Sequence, residues 1–166
     1  MTDIPFREVQ KIGHVWWIML IIYAVAGLMW YSFIQQVLLG RPFGTNPGPD
    51  WLVWLFWLLF GIGLPALFHN MKLIVEVTDN HLSIRYVPFV NRRLPFSEIR
   101  SCEVRTYQAI KEYGGWGIRG LFGSDRAYTV SGNQGVDLEL QPGQHIMVGS
   151  QKATELALAI EAKLSG

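Results

Sequence analysis

An uninterrupted apolar stretch, WLVWLFWLLFGIGLPALF, occupies residues 51–68 and restricts the fold of this chain more than any other feature. It contains no charged residue and is followed at once by the polar residues His69 and Asn70. As a helix it would rise about 27 Å, close to the hydrocarbon thickness of a bilayer. Its aliphatic and Phe side chains contribute about −3 to −6 kcal/mol toward insertion. A chain of 166 residues offers no soluble body able to surround such a helix, so the stretch predicts a membrane span.

A second apolar stretch lies nearer the N-terminus, because no formally charged residue occurs between Lys11 and Arg41. Its centre, residues 15–34, is almost wholly apolar and has aromatic residues near both ends. Aromatic belts of this kind are typical of helices that cross a bilayer. The sequence therefore predicts a first transmembrane helix at residues 13–39 and a second at residues 51–69.

A secretory signal peptide is an alternative interpretation of the first stretch. Arg7 and Lys11 resemble its basic region, residues 15–23 its apolar core, and Ala24-Val25-Ala26 its cleavage signal. Against this, the apolar run continues as far as Ile34, which makes it longer than a signal-peptide core. The mass of the intact protein distinguishes the two interpretations.

The linker between the two stretches, residues 40–50, is dense in Gly and Pro and predicts a turn. Two spans joined by a turn form a helical hairpin whose two outer ends lie on the same side of the membrane. The linker carries one cation, Arg41, whereas the outer ends are flanked by three cations, Arg7, Lys11 and Lys72. Cations favour the cytoplasmic side, so we expect a multi-pass protein of the cell (inner) membrane with an N-terminal cytoplasmic segment at residues 1–12.

Composition narrows the class of protein further. Charged residues make up 16% of the chain, against about a quarter in soluble domains, which indicates membrane content. The formal net charge of +1 argues against nucleic acid as a partner. Cys102 is the single cysteine, so no internal disulfide can form, and a structural zinc site of the usual cysteine-rich kind is excluded.

Beyond the second helix the apolar rhythm changes to a period of two, which is typical of half-buried strands. Residues 73–77 and 82–86 alternate on either side of the turn 78–81 and predict a β-hairpin. Residues 91–93 are interpreted as a polar link. Further strands are expected at residues 99–107, 126–131, 136–140 and 145–148. Several short strands separated by turns are typical of a small barrel or sandwich.

The chain ends with a predicted amphipathic helix. Ser150 is the expected N-cap. The expected buried face consists of five residues at helical spacing, Ala153, Leu156, Ala157, Ile160 and Leu164. This stripe predicts a helix that packs against the sheet.

Three groups of residues carry a resemblance to a known family. They are Tyr113-Gly114-Gly115-Trp116-Gly117-Ile118-Arg119, then Ala127-Tyr128 with Ser131-Gly132 and Gly135-Val136, and finally Ile146-Met147-Val148-Gly149-Ser150-Gln151. In these the chain resembles an uncharacterised family of bacterial membrane proteins with a pleckstrin-homology-like (PH-like) domain. The resemblance implies a membrane α-helical hairpin followed by a mainly-β PH-like barrel with a C-terminal α-helix. It implies no activity, ligand, cofactor or catalytic residue. From the distribution of cations around the hairpin, we expect this domain, residues 72–166, to be cytoplasmic.

The glycine-rich stretch at residues 114–122 is the strongest candidate for an interaction surface. We expect its members to be Tyr113, Trp116, Arg119 and Phe122, which would meet a partner protein or the membrane interface. The alternative is that Trp116 and Ile118 pack inward on a glycine-kinked strand. Residues 115–120 also match G-x-G-x-x-G, but no helical pattern follows, as a dinucleotide site requires, so the match is interpreted as accidental.

The remaining polar residues point away from catalysis. Asp137 and Glu139 would lie about 7 Å apart on one strand face, which is interpreted as a solvated face. The four histidines lack metal-ligand spacing, so neither a metal site nor a cofactor is expected. The turn at residues 79–81 lacks the cations of phosphoinositide-binding PH domains. The sequence therefore predicts a non-enzymatic, membrane-anchored module with a protein-interaction or accessory role, or alternatively a lipid-surface-binding regulator or sensor that uses residues 114–122.

Overall fold

The computed structural model describes residues 6–120, 125–141 and 143–165. Within them the chain forms two compact units. The helical unit runs from Ile12 to Met71, and the β unit combines residues 6–11 with the chain that follows Lys72. The predicted order of two apolar helices, a β-rich region and a terminal helix is confirmed.

The helical unit contains two helices, α1 (Trp16–Leu38) and α2 (Asp50–Asn70). Their mean hydropathies of 1.9 and 2.0 and their lengths are sufficient for crossing a membrane, a criterion that core helices and signal sequences also meet. A short 3-10 turn, Ile12–His14, precedes α1. At the two ends of the unit, the backbone N–H of Ile12 donates to the carbonyl of Met71 over 3.2 Å. The unit is therefore a hairpin whose outer ends are adjacent.

A proline in α2 leaves a backbone carbonyl that takes part in the contact between α1 and α2. Pro65 has no N–H to donate to the carbonyl of Gly61, four residues earlier, and the segment Trp57–Gly63 widens into a π-helix. The indole Nε1 of Trp30 on α1 donates to that carbonyl instead, over 3.3 Å. Gly61 is buried there, and a Cβ at this position would lie 3.1 Å from Cδ1 of Trp57. A larger residue at position 61 would therefore displace the Trp57 ring of the same helix, whereas the atoms of Met29 and Trp30 on α1 lie 3.6 Å from that Cβ position.

Aromatic rings fill the same contact. Phe33 stacks on Trp57 with ring centroids 4.4 Å apart and meets Trp54 edge-on at 4.7 Å. Trp30 also meets Trp57 edge-on, at 5.1 Å. At the linker, the amide of Gln36 donates to the carbonyl of Gly48, which ties the linker to α1. The hairpin is therefore held by rings and by polar contacts between its own two helices.

The β unit contains nine strands in two sheets among the described residues. The strands are β1 (Phe6–Lys11), β2 (Lys72–Val77), β3 (His81–Val87), β4 (Val90–Pro95), β5 (Ile99–Thr106), β6 (Gly117–Arg119), β7 (Arg126–Thr129), β8 (Gln134–Leu140) and β9 (Gln144–Gly149). The four-stranded sheet has the order β1-β2-β3-β4, and the five-stranded sheet has the order β5-β8-β9-β7-β6. All pairings are antiparallel except β7 with β9. Two helices complete the unit, α3 (Ala109–Tyr113) and α4 (Ala153–Leu164).

The expected closed barrel is not found. In the described part of the chain no ladder joins the two sheets, because the strand path breaks after Pro95 at the 3-10 turn Phe96–Glu98 and resumes in the other sheet. Alternating polarity reports which residues are buried, but not which strands pair. One side-chain link between the sheets is the hydroxyl of Tyr86, which donates to the carbonyl of Thr129 over 3.3 Å.

Helix α4 packs on β5 and β8 and reaches β1 and β2. Its predicted apolar face is confirmed, since Leu156 and Ile160 are fully buried. The predicted N-cap at Ser150 is wrong, because the helix begins after Lys152. Ser150 lies two residues earlier, where its hydroxyl accepts from the N–H of Lys152 over 3.0 Å.

Strands β1 and β4 fall in segments that the sequence predicts as a separate N-terminal segment and a polar link. In β1 the buried positions include Glu8 and Gln10, so no apolar alternation reveals the strand. The carboxylate of Glu8 accepts from the Ser150 hydroxyl and from the N–H of Gln151. The amide of Gln10 donates to the carbonyl of Gly149 over 2.8 Å. The first strand is therefore bonded to the chain entering α4.

Candidate functional site

The outer face of the five-stranded sheet carries most of the residues predicted as a site. Four buried residues form a small cluster there, Tyr107, Ala109, Ala127 and Met147. Tyr113 and Trp116 pack against this cluster and are half-buried. The indole Nε1 of Trp116 donates to the carbonyl of Gly132 over 3.0 Å. Trp116 is thus packed inward, as in the alternative interpretation of the glycine-rich stretch.

Glycines let the chain place Trp116 on this face. Gly114 ends α3 in the left-handed conformation with φ 71°, and its N–H donates to the carbonyl of Ile110. Gly115 follows with φ 124°, a conformation that side chains with a Cβ rarely adopt. The chain then enters β6 rather than a helix. The G-x-G-x-x-G match therefore lacks the strand–turn–helix geometry that holds a pyrophosphate.

Of the other two predicted residues, the structure describes one. Arg119 is exposed on the edge strand β6, opposite Ala127, and its guanidinium lies close to Gly115. Phe122 lies outside the described residues. The structure therefore brings Tyr113 and Trp116 together beside Arg119. Ile110 of α3 is 69% exposed and adds an apolar side chain to the exterior of the same unit.

Charged side chains occupy the neighbouring part of this face. Asp137 lies 3.8 Å from the guanidinium of Arg105 and 3.5 Å from Nδ1 of His145. Arg105 also pairs with Glu112 of α3, at 2.6 Å. Glu139 is on the same face and pairs with an exposed arginine. Both carboxylates predicted to share a face do so, and both are engaged in ion pairs on a partly solvated surface.

The one cysteine points to the opposite face of the sheet. The Sγ of Cys102 lies 3.8 Å from the carbonyl of Ala157 on α4. Burial, with a smaller contribution from Glu161, raises the pKa of the Cys102 thiol to about 11. At neutral pH the group is a protonated thiol, which is a poor nucleophile.

Buried tyrosines of the β unit are likewise held in their neutral form. Burial raises the pKa of Tyr86 to about 12, although Arg119 lowers it in part. Burial also raises the pKa of Tyr107 to about 12. The pKa of Tyr113 is raised for the same reason. These phenols can donate hydrogen bonds but do not act as bases at neutral pH. Within the described ranges, no three His, Cys, Asp or Glu side chains cluster closely enough to hold a metal ion.

A second surface, which sequence reasoning missed, is the outer face of the four-stranded sheet. The strand register puts five cations on it, Arg7, Lys11, Lys72, Arg85 and Arg93. We call it the basic face. Its one carboxylate on the strands is Glu76, 4.0 Å from Arg85. A polar depression of about 320 Å³ lies on it. The signal was hidden because three of these cations lie on β1 and β4, which the sequence did not predict as strands.

The helical unit has a cavity of its own near the linker. Its volume is about 210 Å³, and Met29, Leu52 and Phe56 are among its mainly apolar lining. Gln36 lies at its polar end and donates to Asp50 Oδ1 over 2.9 Å. The amide of Gln36 is therefore engaged in holding the linker.

These features define a class: a protein with an apolar helical hairpin inserted between the first and second strands of a two-sheet β unit. The model of a family of unknown function, DUF6141, matches residues 1–165. The chain belongs to this family. No curated protein matches it in sequence.

Proposed function

We propose that this protein is a non-enzymatic module anchored in the bacterial cell membrane by its two helices. Its β unit, a PH-like domain, is held at the cytoplasmic face and binds a protein partner there. The observation that carries the proposal is that strands on both sides of the hairpin pair with each other.

Anchoring is supported by the exposure of the helices. A core helix of a soluble protein is mostly buried, whereas 6% of the apolar window of α2 and 28% of that of α1 are buried. A bilayer would cover the remaining apolar surface. Hydrocarbon offers no hydrogen bonds, and the carbonyl of Gly61, left free by Pro65, has its donor in Trp30 of the neighbouring helix.

The β1–β2 ladder supports a permanent, two-ended anchor. These strands pair over their full length, from Phe6 opposite Val77 to Lys11 opposite Lys72. A signal peptidase cut after Ala26 would remove β1 and leave β2 as an unpaired edge. It would also remove Glu8, the acceptor for two donors next to α4. Retention of α1 as a span is the interpretation that keeps the sheet complete.

A PH-like assignment of the β unit is supported by two apposed sheets with a C-terminal helix packed on β5 and β8. The cytoplasmic orientation is supported by cations that flank the outer ends of the hairpin, while the linker carries only Arg41.

No catalytic step is proposed, because the Asp137–His145 pair and the thiol of Cys102 lie on opposite faces of one sheet. Tethering at a membrane raises effective concentration, so weak contacts suffice for a partner.

The proposed partner surface is formed by α3 and the chain after it. Tyr113 and Trp116 provide a rigid, half-buried base, Arg119 adds a cation, and Ile110 is an exposed apolar anchor. Aromatic and arginine side chains around an apolar centre are typical of interaction hot spots. The second candidate, a lipid-surface regulator that uses residues 114–122, is favoured by the exposed Ile110, four residues before that stretch.

Topology is tested by cysteine labelling in a Cys102→Ser background. Thr45→Cys reports the linker, and Asn133→Cys reports the β unit; both positions are exposed. In intact bacterial cells an impermeant maleimide should label the linker cysteine, and the β-unit cysteine only after permeabilisation. The reverse pattern would overturn the orientation, and full-length protein in the soluble fraction would overturn the anchor.

The partner surface is tested by crosslinking in native membranes followed by quantitative capture. Ile110→Lys should reduce a reproducible crosslink at least tenfold. Leu158→Lys is the matched control, since Leu158 is also exposed but lies on α4. Equal loss in both variants, or in neither, contradicts the assignment of the surface. Loss of neutral-liposome binding in Ile110→Lys alone would favour the lipid-regulator alternative.

A further inference from the structure

The basic face carries an unbalanced charge. Lys11 and Lys72 are directly opposite each other on β1 and β2, and like charges in that position destabilise a sheet. The nearest carboxylate on the strands, Glu76, lies beside Arg85. Asp79 in the following turn pairs with Lys163, 3.1 Å away. The described part of the chain therefore supplies too little negative charge to balance the five cations. An external anion bound to this face would reduce the imbalance.

The place of this face in the chain points to the source of the anion. Lys11 immediately precedes the helical unit and Lys72 immediately follows it. In a protein anchored as proposed above, chain connection alone brings both lysines to the headgroup layer. Lys72 is paired with Val87, and Arg85 lies two residues before Val87 on the same strand. Arg85 is therefore about 7 Å along the strand from the level of Lys72. That distance is within a Debye length at physiological salt, about 8 Å.

The depression in the basic face has the chemistry of a phosphate site. Guanidinium groups of Arg85 and Arg93 lie on its rim with the hydroxyl of Ser83 and the amide of Asn91. The lining also includes the carboxylate of Glu76, which the two guanidinium groups outnumber, and the Thr78 hydroxyl, which already donates to the carbonyl of His81 over 2.6 Å. Arginine forks and neutral donors are the groups that hold phosphate oxygens. Ser83 is directly opposite Arg93, so a hydroxyl and a guanidinium face outward side by side.

We propose that the basic face docks on anionic phospholipid headgroups of the membrane that anchors the protein, with a headgroup phosphate in the depression. This inference rests on the proposed anchoring. The cations of the face are strand residues, because the β2–β3 turn carries none. Docking would hold the β unit against the bilayer and thereby fix which of its other surfaces a partner meets.

The test uses full-length protein in lipid nanodiscs. Asn80→Cys in a Cys102→Ser background places a fluorophore at the tip of the β2–β3 hairpin, the end farthest from Lys72. Discs contain phosphatidylcholine alone or an equimolar mixture with phosphatidylglycerol, and carry a headgroup-attached quencher. Stronger quenching in the anionic discs, reversed by salt, is the expected result.

Variants of the basic face should change the strength of docking in opposite directions. Each cation removed should weaken docking about fivefold, so Arg85→Gln with Arg93→Gln should weaken it about 25-fold. Glu76→Gln removes only the carboxylate and should strengthen docking about fivefold. The matched control, Lys111→Gln with Lys152→Gln, removes two exposed cations that lie off the basic face and should leave docking unchanged.

Three outcomes would overturn docking: equal quenching in both discs, an unchanged double-arginine variant, or equal weakening in the control. A protein that does not enter either disc refutes the anchor instead, which separates the two failures. Circular dichroism of each variant confirms that the sheets are intact.

Discussion

Replacement of Glu8 by Ala tests the role of β1 in the β unit. The Glu8 side chain is buried and accepts hydrogen bonds from the hydroxyl of Ser150 and the N–H of Gln151. Its removal leaves both donors without this acceptor, and an unsatisfied buried donor costs about 1–3 kcal/mol. We therefore expect the free energy of unfolding to fall by about 2–6 kcal/mol. That is a large part of the stability of an ordinary domain, about 5–15 kcal/mol.

The single cysteine provides the assay. Cys102 lies under α4, so its reaction with a thiol reagent in increasing urea reports unfolding of the β unit in detergent-solubilised protein. Glu8→Gln keeps one acceptor oxygen and should lose about half as much stability. The control Glu155→Ala removes an exposed ion pair with Lys152 and should cost less than about 1 kcal/mol. A Glu8→Ala midpoint equal to that of the control would refute the reasoning.

Three further predictions concern packing and ionisation. Gly61→Val should destabilise the helical unit by about 1–3 kcal/mol because its side chain meets Trp57, whereas Gly27→Val has open space and should cost less; thermal scans by tryptophan fluorescence compare them. Trp30→Phe removes the donor to the Gly61 carbonyl and should cost about 0.6 kcal/mol in the same scans. Alkylation of Cys102 in the folded protein should rise with pH up to about 11, whereas unfolded protein should titrate near its ordinary pKa of about 8.5. Because the folded pKa is raised, the thiol's stabilising contribution is present at neutral pH and is lost as the pH rises between these two values; coincident curves would contradict burial of the thiol.

Local patterns were sufficient for the elements that bury an uninterrupted apolar surface. The stretch at residues 51–68 required a long helix whatever its partner, and the alternation through β2 and β3 required a hairpin. The apolar stripe of α4 was equally direct. In each case, the side chains that define the element form a pattern within the element's own sequence, so no distant residue is needed to predict it.

Strand β1 depends on distant residues. Its inward positions Glu8 and Gln10 are polar, and they are stable there because Gly149, Ser150 and Gln151 supply matching partners far along the chain. No window of sequence around Glu8 contains that information. In β4, Arg92 points inward and donates to the side chain of Gln144, a distant residue. From its local sequence alone, Arg92 is predicted to belong to a polar link.

The two candidate surfaces also depend on residues that are distant in sequence. Trp116 stands out in the sequence, but its partial burial depends on Ala127 and Met147 of other strands. The basic face could not be predicted, because the cations of β1 and β4 join those of β2 and β3 only through the strand register. Charge summed over the whole chain hides this face, since the net value is +1.

A truncated variant that begins at Gly27 provides a last prediction, because it reproduces the product of cleavage after Ala26. It would lack β1, so β2 would lose one of its two neighbouring strands, and Ser150 and Gln151 would lose their shared acceptor. We expect its β unit to be unfolded or aggregated, with Cys102 reacting at the rate of the urea-unfolded protein. A peptide with the sequence of residues 6–11, added in excess, should slow that reaction if the missing strand is the cause. A truncated protein in which Cys102 is as protected as in the full chain would mean that β1 is dispensable, and the two-ended anchor would have no structural basis.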